Sequence, residues 1–503
     1  MKTFPMNDFS GGWNARDGWS QVADNESPDM MNMTLDERGG IVKRLGLTKT
    51  GAQIVNTDNA QSLFYSSATD RLLAQVGTGL YVSTDGGVTW GASIKTFTTS
   101  ARIHMVDFVG AVVIIHPVDK CFSYTVGGGI TAVITNSPKG TCIAVWSNAM
   151  WSVGDSALPS RVTRSDLGAL TWPATPVSVD VRAKDDQPLT AVGGGLGMDA
   201  LGRGGLLVWK EDSRYRLYDA ATGAYTVEDY SYGASGPQAV VTNEGVTCGI
   251  SKRGIVSTSG DGVAGQVISA KIEPLFHPTQ ITMAQASLMV AGNYRNRMIF
   301  SLPWDGSAVN NLTLEYSPAQ GWIAPHDFGL TCATTYTKST NLLLGGKQGT
   351  GASSWGYVIS VFTGGSDDTA AIAARHQTRW FEPARGNSVR FRRLQPNGFG
   401  TFNLYFKVNY DPGQGLLYPL AITGMGAVWG TAVWGTDTWG VALFQDYIPV
   451  YSLGHGKSFS IEISESSTLS GTGPSLLDVG SAEARGSFGI YGYALDIQPL
   501  GNS

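Results

Sequence analysis

The sequence predicts an all-β fold: a β-propeller of about seven blades followed by a C-terminal β-sandwich. Three observations carry that prediction. The composition is turn-rich, with 65 Gly and 14 Trp in 503 residues and only 15% charged residues. One octapeptide, Ser83-Thr84-Asp85-Gly86-Gly87-Val88-Thr89-Trp90, reads S-x-D-x-G-x-T-W, the pattern called an Asp box. Finally, hairpin-like units recur along residues 62–364, and strictly alternating strands replace them after Gly365.

The N-terminal segment differs from the rest of the chain. Ser27 with Pro28 reads as the cap and first position of a short helical turn. Residues 32–35 and 41–47 read as two strands joined by Gly39-Gly40. A propeller ring needs a strand from one end to close the other, and Ile41–Leu47 is the candidate. Domain boundaries follow: 1–47 as N-terminal arm and closing strand, 48–366 as propeller, and 367–503 as sandwich.

The first blade spans 62–90. Asp85 and Gly86 supply the acceptor and the positive φ of a tight turn, and Trp90 folds back over it as an apolar plug. The second, 102–134, contains the buried run Val112–Ile115. The third, 142–175, ends in Ser165-Asp166-Leu167-Gly168 and Thr171-Trp172, a degenerate echo of the first box. The others are 190–231, 239–276 with a strand-like Val267–Phe276, 286–323 and 330–364. Seven units in about 305 residues give roughly 44 residues each, a blade's length. In the sandwich, Phe402, Leu404, Phe406, Val408 and Tyr410 alternate on one face, as do Phe459, Ile461 and Ile463.

Charge and cysteine usage limit the function classes. The net charge is −5, whereas a chain built to grip nucleic acid is usually basic. Cys121, Cys142, Cys248 and Cys332 are far apart, with no C-x-x-C, so buried thiols are expected over metal knots or disulfides. No apolar run follows Lys2 as in a secretory signal, and none approaches the ~18–20 residues of a membrane helix.

Candidate chemistry is sparse. Asp boxes recur in sialidase-type propellers, which need several Arg, a Tyr nucleophile and acidic partners on inner strands. Arg161, Arg214, Arg216, Arg295 and Arg297, with Tyr215, Tyr294 and Glu211, match no such spacing. No catalytic, cofactor or metal site is assigned. Asp185-Asp186 and Asp367-Asp368 read as turns, since no D-x-D-x-D-G loop is present.

Two stretches suggest interfaces. Residues 375–393 hold six Arg and one Glu, a local charge of +5. There Arg375, Arg379, Arg385, Arg390, Arg392 and Arg393 are interleaved with Trp380 and Phe381, as at a subunit or adaptor interface; a solvated sheet face would have the same charge. Arg390 and Arg392 are expected on one strand face. The run 428–440 places Trp429, Trp434 and Trp439 five apart, a spacing that fits neither a strand face nor a helix face. It reads as a looped segment whose indoles dock into grooves between sheets or subunits, or form a sugar platform.

Three N-terminal motifs point to a family. F-x-G-G-W-N-x-R-D at 9–17, D-N-E-S-P-D-x-x-N-M at 24–33 and L-D-E-R-G-G-I-V-K-R-L-G at 35–46 resemble the opening of the tail nozzle proteins of short-tailed bacteriophages. These are also known as tail hub, tail tubular or packaged-DNA stabilisation proteins. Gly254-Ile255 with Ile268–Ile272, and the Trp-Gly-Thr run, resemble later parts of the same family. The resemblance implies a structural virion protein, not an enzyme, with no cofactor. It implies six copies forming a tube below the adaptor ring and portal, with tail fibres as further partners. Genomic DNA would pass through without sequence-specific binding, and the tip would help retain packaged DNA. Assembly would take place in the host cytoplasm. Another phage tail or baseplate propeller, and a carbohydrate-binding or sialidase-like propeller, are the alternative readings.

Overall fold

The computed structural model describes the chain except residues 1, 37–38, 56, 186, 194–204, 220–223, 230–231, 260–265, 278, 282, 339–341, 350–354, 385–386, 410, 423–447, 451–454, 465–488 and 500–503. Two compact bodies are present. One comprises Met1–Leu47, Leu314–Asp327 and Phe362–Ser503; the other comprises Thr48–Thr313 and Phe328–Val361.

Seven four-stranded sheets are formed among the described residues, and they make a seven-bladed propeller. Their first strands are Ala60–Ser66, His104–Phe108, Cys142–Trp146, Leu189–Val192, Val240–Asn243, Val290–Tyr294 and Leu330–Tyr336. Neighbouring first strands pack side by side, save that Leu189–Val192 meets the 3-10 turn Pro237–Ala239 leading into the fifth blade, and Leu330–Tyr336 returns to lie against Ala60–Ser66. The seventh sheet takes its fourth strand from Leu47–Lys49, the segment just before the first sheet. The ring is therefore closed by an N-terminal strand, but not by Ile41–Leu47 as expected. Ile41–Lys43 instead pairs with Met33–Leu35 and Gly489–Ile490 in the other body.

Blades are buried on both faces, because each packs against two neighbours. All six residues of Ala111–His116 are buried. Leu73, Leu80, Met105, Val112, Ile114 and Phe122 fill the space between the first and second blades. Phe108, Val113, Ile115, Ile143, Met150 and Trp172 fill the next. All four cysteines are free and buried; burial pushes the Cys121, Cys142 and Cys248 thiols up to about 12 and that of Cys332 to about 11.

The Asp box is a blade turn. Thr89 donates to Asp85 through its backbone N–H at 2.9 Å and its hydroxyl at 2.5 Å, and Ser83 donates to Asp85 at 2.7 Å. Trp90 Nε1 closes the turn on Gly87 O at 3.1 Å. These bonds, the Thr89 hydroxyl first, hold the Asp85 carboxyl down at about 2. In the third blade Thr171 donates to Asp166 at 2.7 Å and Trp172 is buried, but its Nε1 makes no hydrogen bond, so the degenerate echo keeps the Thr-to-Asp bond and the apolar plug without the indole bond to the turn.

Two local expectations are corrected. Ser27 caps no helix: Glu26–Ser27 and Asp29–Met31 are short strands, and the Ser27 hydroxyl donates to the carbonyls of Asp29 and Gln377. Of the expected strand Val267–Phe276, only Gln266–Val267 is extended, and Ser269–Phe276 is 3-10 helix.

The sandwich is organised by one strand, Val389–Val408. Its first half pairs with Gly489–Pro499 and its second with Phe459–Ser464 and Asp411–Ile422. A straight strand would separate Phe391 from Phe406 by about 50 Å. Their rings lie 5.2 Å apart, so the strand doubles over and contributes to both layers. The register shifts near Phe391/Arg393 and Asn397/Gly398, and Gly400 has φ 88°, as such a corner requires. Phe4, Phe381 and Phe459 complete the aromatic core.

Candidate assembly interface

The Arg-rich stretch 375–393 divides into a buried part and an exposed part. Arg375–Gln377 is a short strand between Asp29–Met31 and Phe459–Ser464. All three of its residues are buried, so this end of the stretch is not an accessible surface. Arg375 is 3% exposed and donates to Asp29 Oδ1 at 2.8 Å. Buried charges persist when paired and hydrogen-bonded, and here the pair ties the second N-terminal motif to the sandwich.

Beside it is a second buried pair, Lys407 and Glu462, with 2.5 Å between Nζ and Oε2 and side-chain exposures of 0% and 1%. Lys407 also donates to Gln377 Oε1 at 3.2 Å, and Gln377 Nε2 to Ser460 Oγ at 3.1 Å. Burial pushes the Glu462 carboxyl up, with Lys407 opposing.

His376 has its ring edge-on to Phe9 at 5.6 Å, and burial holds its pKa down at about 3. It is neutral in the fold, while the same residue unfolded titrates near its ordinary value of 6.5. Its contribution is complete above pH 6.5 and is lost as pH falls from there toward 3, because the unfolded chain takes up the proton first. Urea midpoints should therefore fall on acidification through this window. His376→Phe should flatten the slope by up to about 1.4 kcal/mol per pH unit.

Arg379 is half-buried. It donates to Val22 O at 2.8 Å, pairs with Asp24 at 2.9 Å and lies over the Phe381 ring. Trp380 is 3% exposed, and its backbone N–H donates to Trp19 O. Arg375, Arg379 and Trp380 thus anchor the N-terminal arm rather than forming an outer face. Arg385, Trp429, Trp434 and Trp439 lie outside the described residues.

The exposed part is Arg390, Arg392 and Arg393. Simple alternation would turn Arg393 inward, but the register shift between Phe391 and Arg393 changes this. Phe391 and Leu394 are buried, Arg390 and Arg393 are exposed, and Arg392 is half-exposed. Three guanidinium groups, rather than two, therefore face outward. Arg392 Nε donates to Gln498 Oε1 at 3.1 Å, and Arg393 stands opposite Asp496. This ridge gathers positive charge that can attract carboxylates of another chain, with the Nε–Nη2 edge of Arg392 already given to Gln498 Oε1.

The N-terminal motifs hold structural positions in the same body. A Cβ on Gly12, whose φ is 63°, would lie 2.0 Å from Trp322 O. Asn14 donates to Asp17 at 2.9 Å and to Glu26 at 2.8 Å. Asn32 donates to Ala373 O and accepts from Arg44 Nε at 2.9 Å. Arg44, fully buried, also donates to Asp327 at 3.1 Å and to both oxygens of Asp367 at 2.8 and 2.5 Å. Asp367 is therefore an ion-pair partner, as is Asp185, which accepts from Lys210 at 2.5 Å.

The residues considered for a sialidase-like site are spread over the third, fourth and sixth sheets. Arg161 pairs with Asp180 at 2.8 Å in the third sheet. Arg214 and Arg216 are buried on the third strand of the fourth sheet, and Arg295 is exposed over Tyr294 at a turn of the sixth. Among the described residues no group of three or more His, Cys, Asp or Glu is placed to hold a metal ion. No helix among them is long and apolar enough to cross a membrane.

No family model and no curated protein matches the chain. Solved structures similar to it include the computationally designed protein Ika8, at 10% identity and TM-score 0.37, covering 63% of this chain and 99% of that one. Another is the extracellular domain of BT4673 from B. thetaiotaomicron, at 11% identity and TM-score 0.45, covering 80% of this chain and 57% of that one. A third is BBS1N in complex with ARL6DN, at 13% identity and TM-score 0.42, covering 65% and 99%.

Proposed function

We propose that this chain is a structural component of a bacteriophage tail. Six copies form a nozzle below the adaptor and portal, continue the DNA-ejection channel and help retain packaged DNA. The observation that carries this reading is the ordered set of motifs at 9–17, 24–33 and 35–46, followed in one chain by a seven-bladed propeller and a sandwich. The charge balance supports it. A chain of net charge −5 overall lacks the basic balance that grips the DNA polyanion, as suits a conduit. The role is one of assembly and passage, with no bond made or broken by this chain.

Arg390, Arg392 and Arg393 are the proposed contact with a neighbouring subunit or the adaptor. Charge reversal at Arg390 and Arg392 together is expected to block ring assembly or tail attachment. The purified monomer should keep its circular dichroism spectrum and urea midpoint, because neither side chain is buried. Normal ring formation by Arg390→Glu/Arg392→Glu, seen by electron microscopy and light scattering, would remove this surface from the proposal.

A further inference from the structure

The N-terminal strand Lys2–Met6 pairs with Gly489–Pro499, which in turn pairs with the strand that carries Arg390. On the outer face of this sheet Thr3 donates to Asp496 at 2.8 Å, and Asp496 stands opposite Arg393. Phe4, one residue on, turns the other way, its ring 5.3 Å from Phe381 and 5.8 Å from Phe459. Beside it is a cleft of about 230 Å³, whose walls include Phe4, Pro5, Asp8, Asp24, Asn25 and Phe381.

This cleft has two carboxylates and two aromatic rings, and one of each already holds a guanidinium. Arg379 pairs with Asp24 at 2.9 Å and lies over the Phe381 ring at 5.4 Å. Asp8 and Phe4 remain. Asp8 is exposed, and it accepts from the Ser10 backbone N–H at 2.9 Å and from Asn25 Nδ2 at 3.3 Å. Hydrogen bonds, the Ser10 side chain first, hold its carboxyl below the usual range, so it is ionised at neutral pH. No cation pairs with it among the described residues. Phe4 is only half-buried. Pro5 offers no N–H to an added strand, so this edge is poorly suited to extending the sheet. An unmatched carboxylate beside a partly open ring instead suits a cation on an apolar stem.

The same body supplies such a group. Arg390 is exposed and makes no hydrogen bond or ion pair among the described residues. Its neighbour Phe391 is buried, so Arg390 projects from the outer face, whereas Phe4 projects from the inner one. Ridge and cleft thus lie on different faces, as the two halves of a head-to-tail contact must.

We propose that the cleft of one copy receives Arg390 of the next, with the arginine stem against Phe4 and its guanidinium on Asp8. Repeated around an axis, this contact closes a ring. The assignment rests on the ring of the proposed function and names the surface that meets its cationic ridge.

The test is light scattering and electron microscopy of the full chain across a concentration series. Asp8→Lys and Arg390→Glu should each raise the concentration needed for ring formation by about tenfold or more. An equimolar mixture of the two variants should restore rings, because every contact in an alternating ring of six then joins unlike charges. The double variant in one chain should do the same. Asp8→Asn keeps an acceptor for the Ser10 N–H and removes the charge, so it should weaken association at an unchanged urea midpoint even if Asp8→Lys does not fold. Rings unaffected by the single variants, or weakened by them without rescue in the mixture, would overturn this contact and leave the tail reading standing. A wild type monomeric at every concentration would overturn it too; only absence from virions as well would remove the tail reading.

Discussion

Lys407→Ala is expected to lower the unfolding free energy by about 3–5 kcal/mol, the range for removing one member of a buried pair. The reason is the partner left behind. Glu462 is 1% exposed, and Lys407 is the cation that contacts its carboxylate at 2.5 Å. Gln377 Oε1 loses a donor as well. Glu462→Ala should cost a similar amount by stranding the ammonium. Lys407→Met combined with Glu462→Leu should recover most of the loss, since an apolar pair in the same volume carries no desolvation penalty. It should remain about 1–3 kcal/mol short if the Gln377 acceptor finds no new donor. Urea unfolding of the four proteins checks this without the screening that guanidinium would add. A loss under about 1 kcal/mol in either single variant would mean the pair is solvated.

Arg44→Met should be comparably damaging, at about 3–5 kcal/mol. Arg44 is fully buried and satisfies Asn32, Asp327 and Asp367, three residues brought from distant parts of the sequence into one body. Without it, two carboxylates face each other across an apolar side chain. Arg44→Lys should restore only part of the loss, because one ammonium cannot reproduce the fork that meets both Asp367 oxygens. Equal stability of the Lys variant and the wild type would show that charge alone, without geometry, is what this position requires. The comparison also bears on the motif at 35–46, because Arg44 ties that motif to two distant carboxylates.

Local chemistry made some elements legible in the sequence. The Asp85 turn is built from residues close together in the chain, Ser83 to Trp90, so its pattern can be read directly. The run Val112–Ile115 announces a strand buried on both faces. What could not be read depends on distant partners. Leu47–Lys49 is only three residues long, and pairing with the seventh sheet, rather than propensity, makes it the closing strand. Ser27-Pro28 has helix-start chemistry, but the Gln377 carbonyl and the strand at Asp29–Met31 determine its conformation.

The charged stretch is instructive for the same reason. A local charge of +5 suggested a single cationic face. Asp29 and Asp24, far away in the N-terminal arm, neutralise Arg375 and Arg379 and draw them into the fold. In the strand 402–408 the apolar alternation was visible, but both of its faces are buried. Lys407 therefore lies inside, where alternation placed it in solvent; the signal that could have found it is the matching Glu462 within another alternating strand. The register shift after Phe391 similarly turns Arg393 outward, and no periodicity carries that information.

The proposed function requires that copies of this chain build a channel. End-on electron microscopy of the assembled particle, from purified protein or from virions, tests it most directly. A six-fold ring around an open bore is expected, lost on charge reversal of Arg390 and Arg392 while the monomer stays folded. A stable monomer at every concentration, absent from virions, would contradict it.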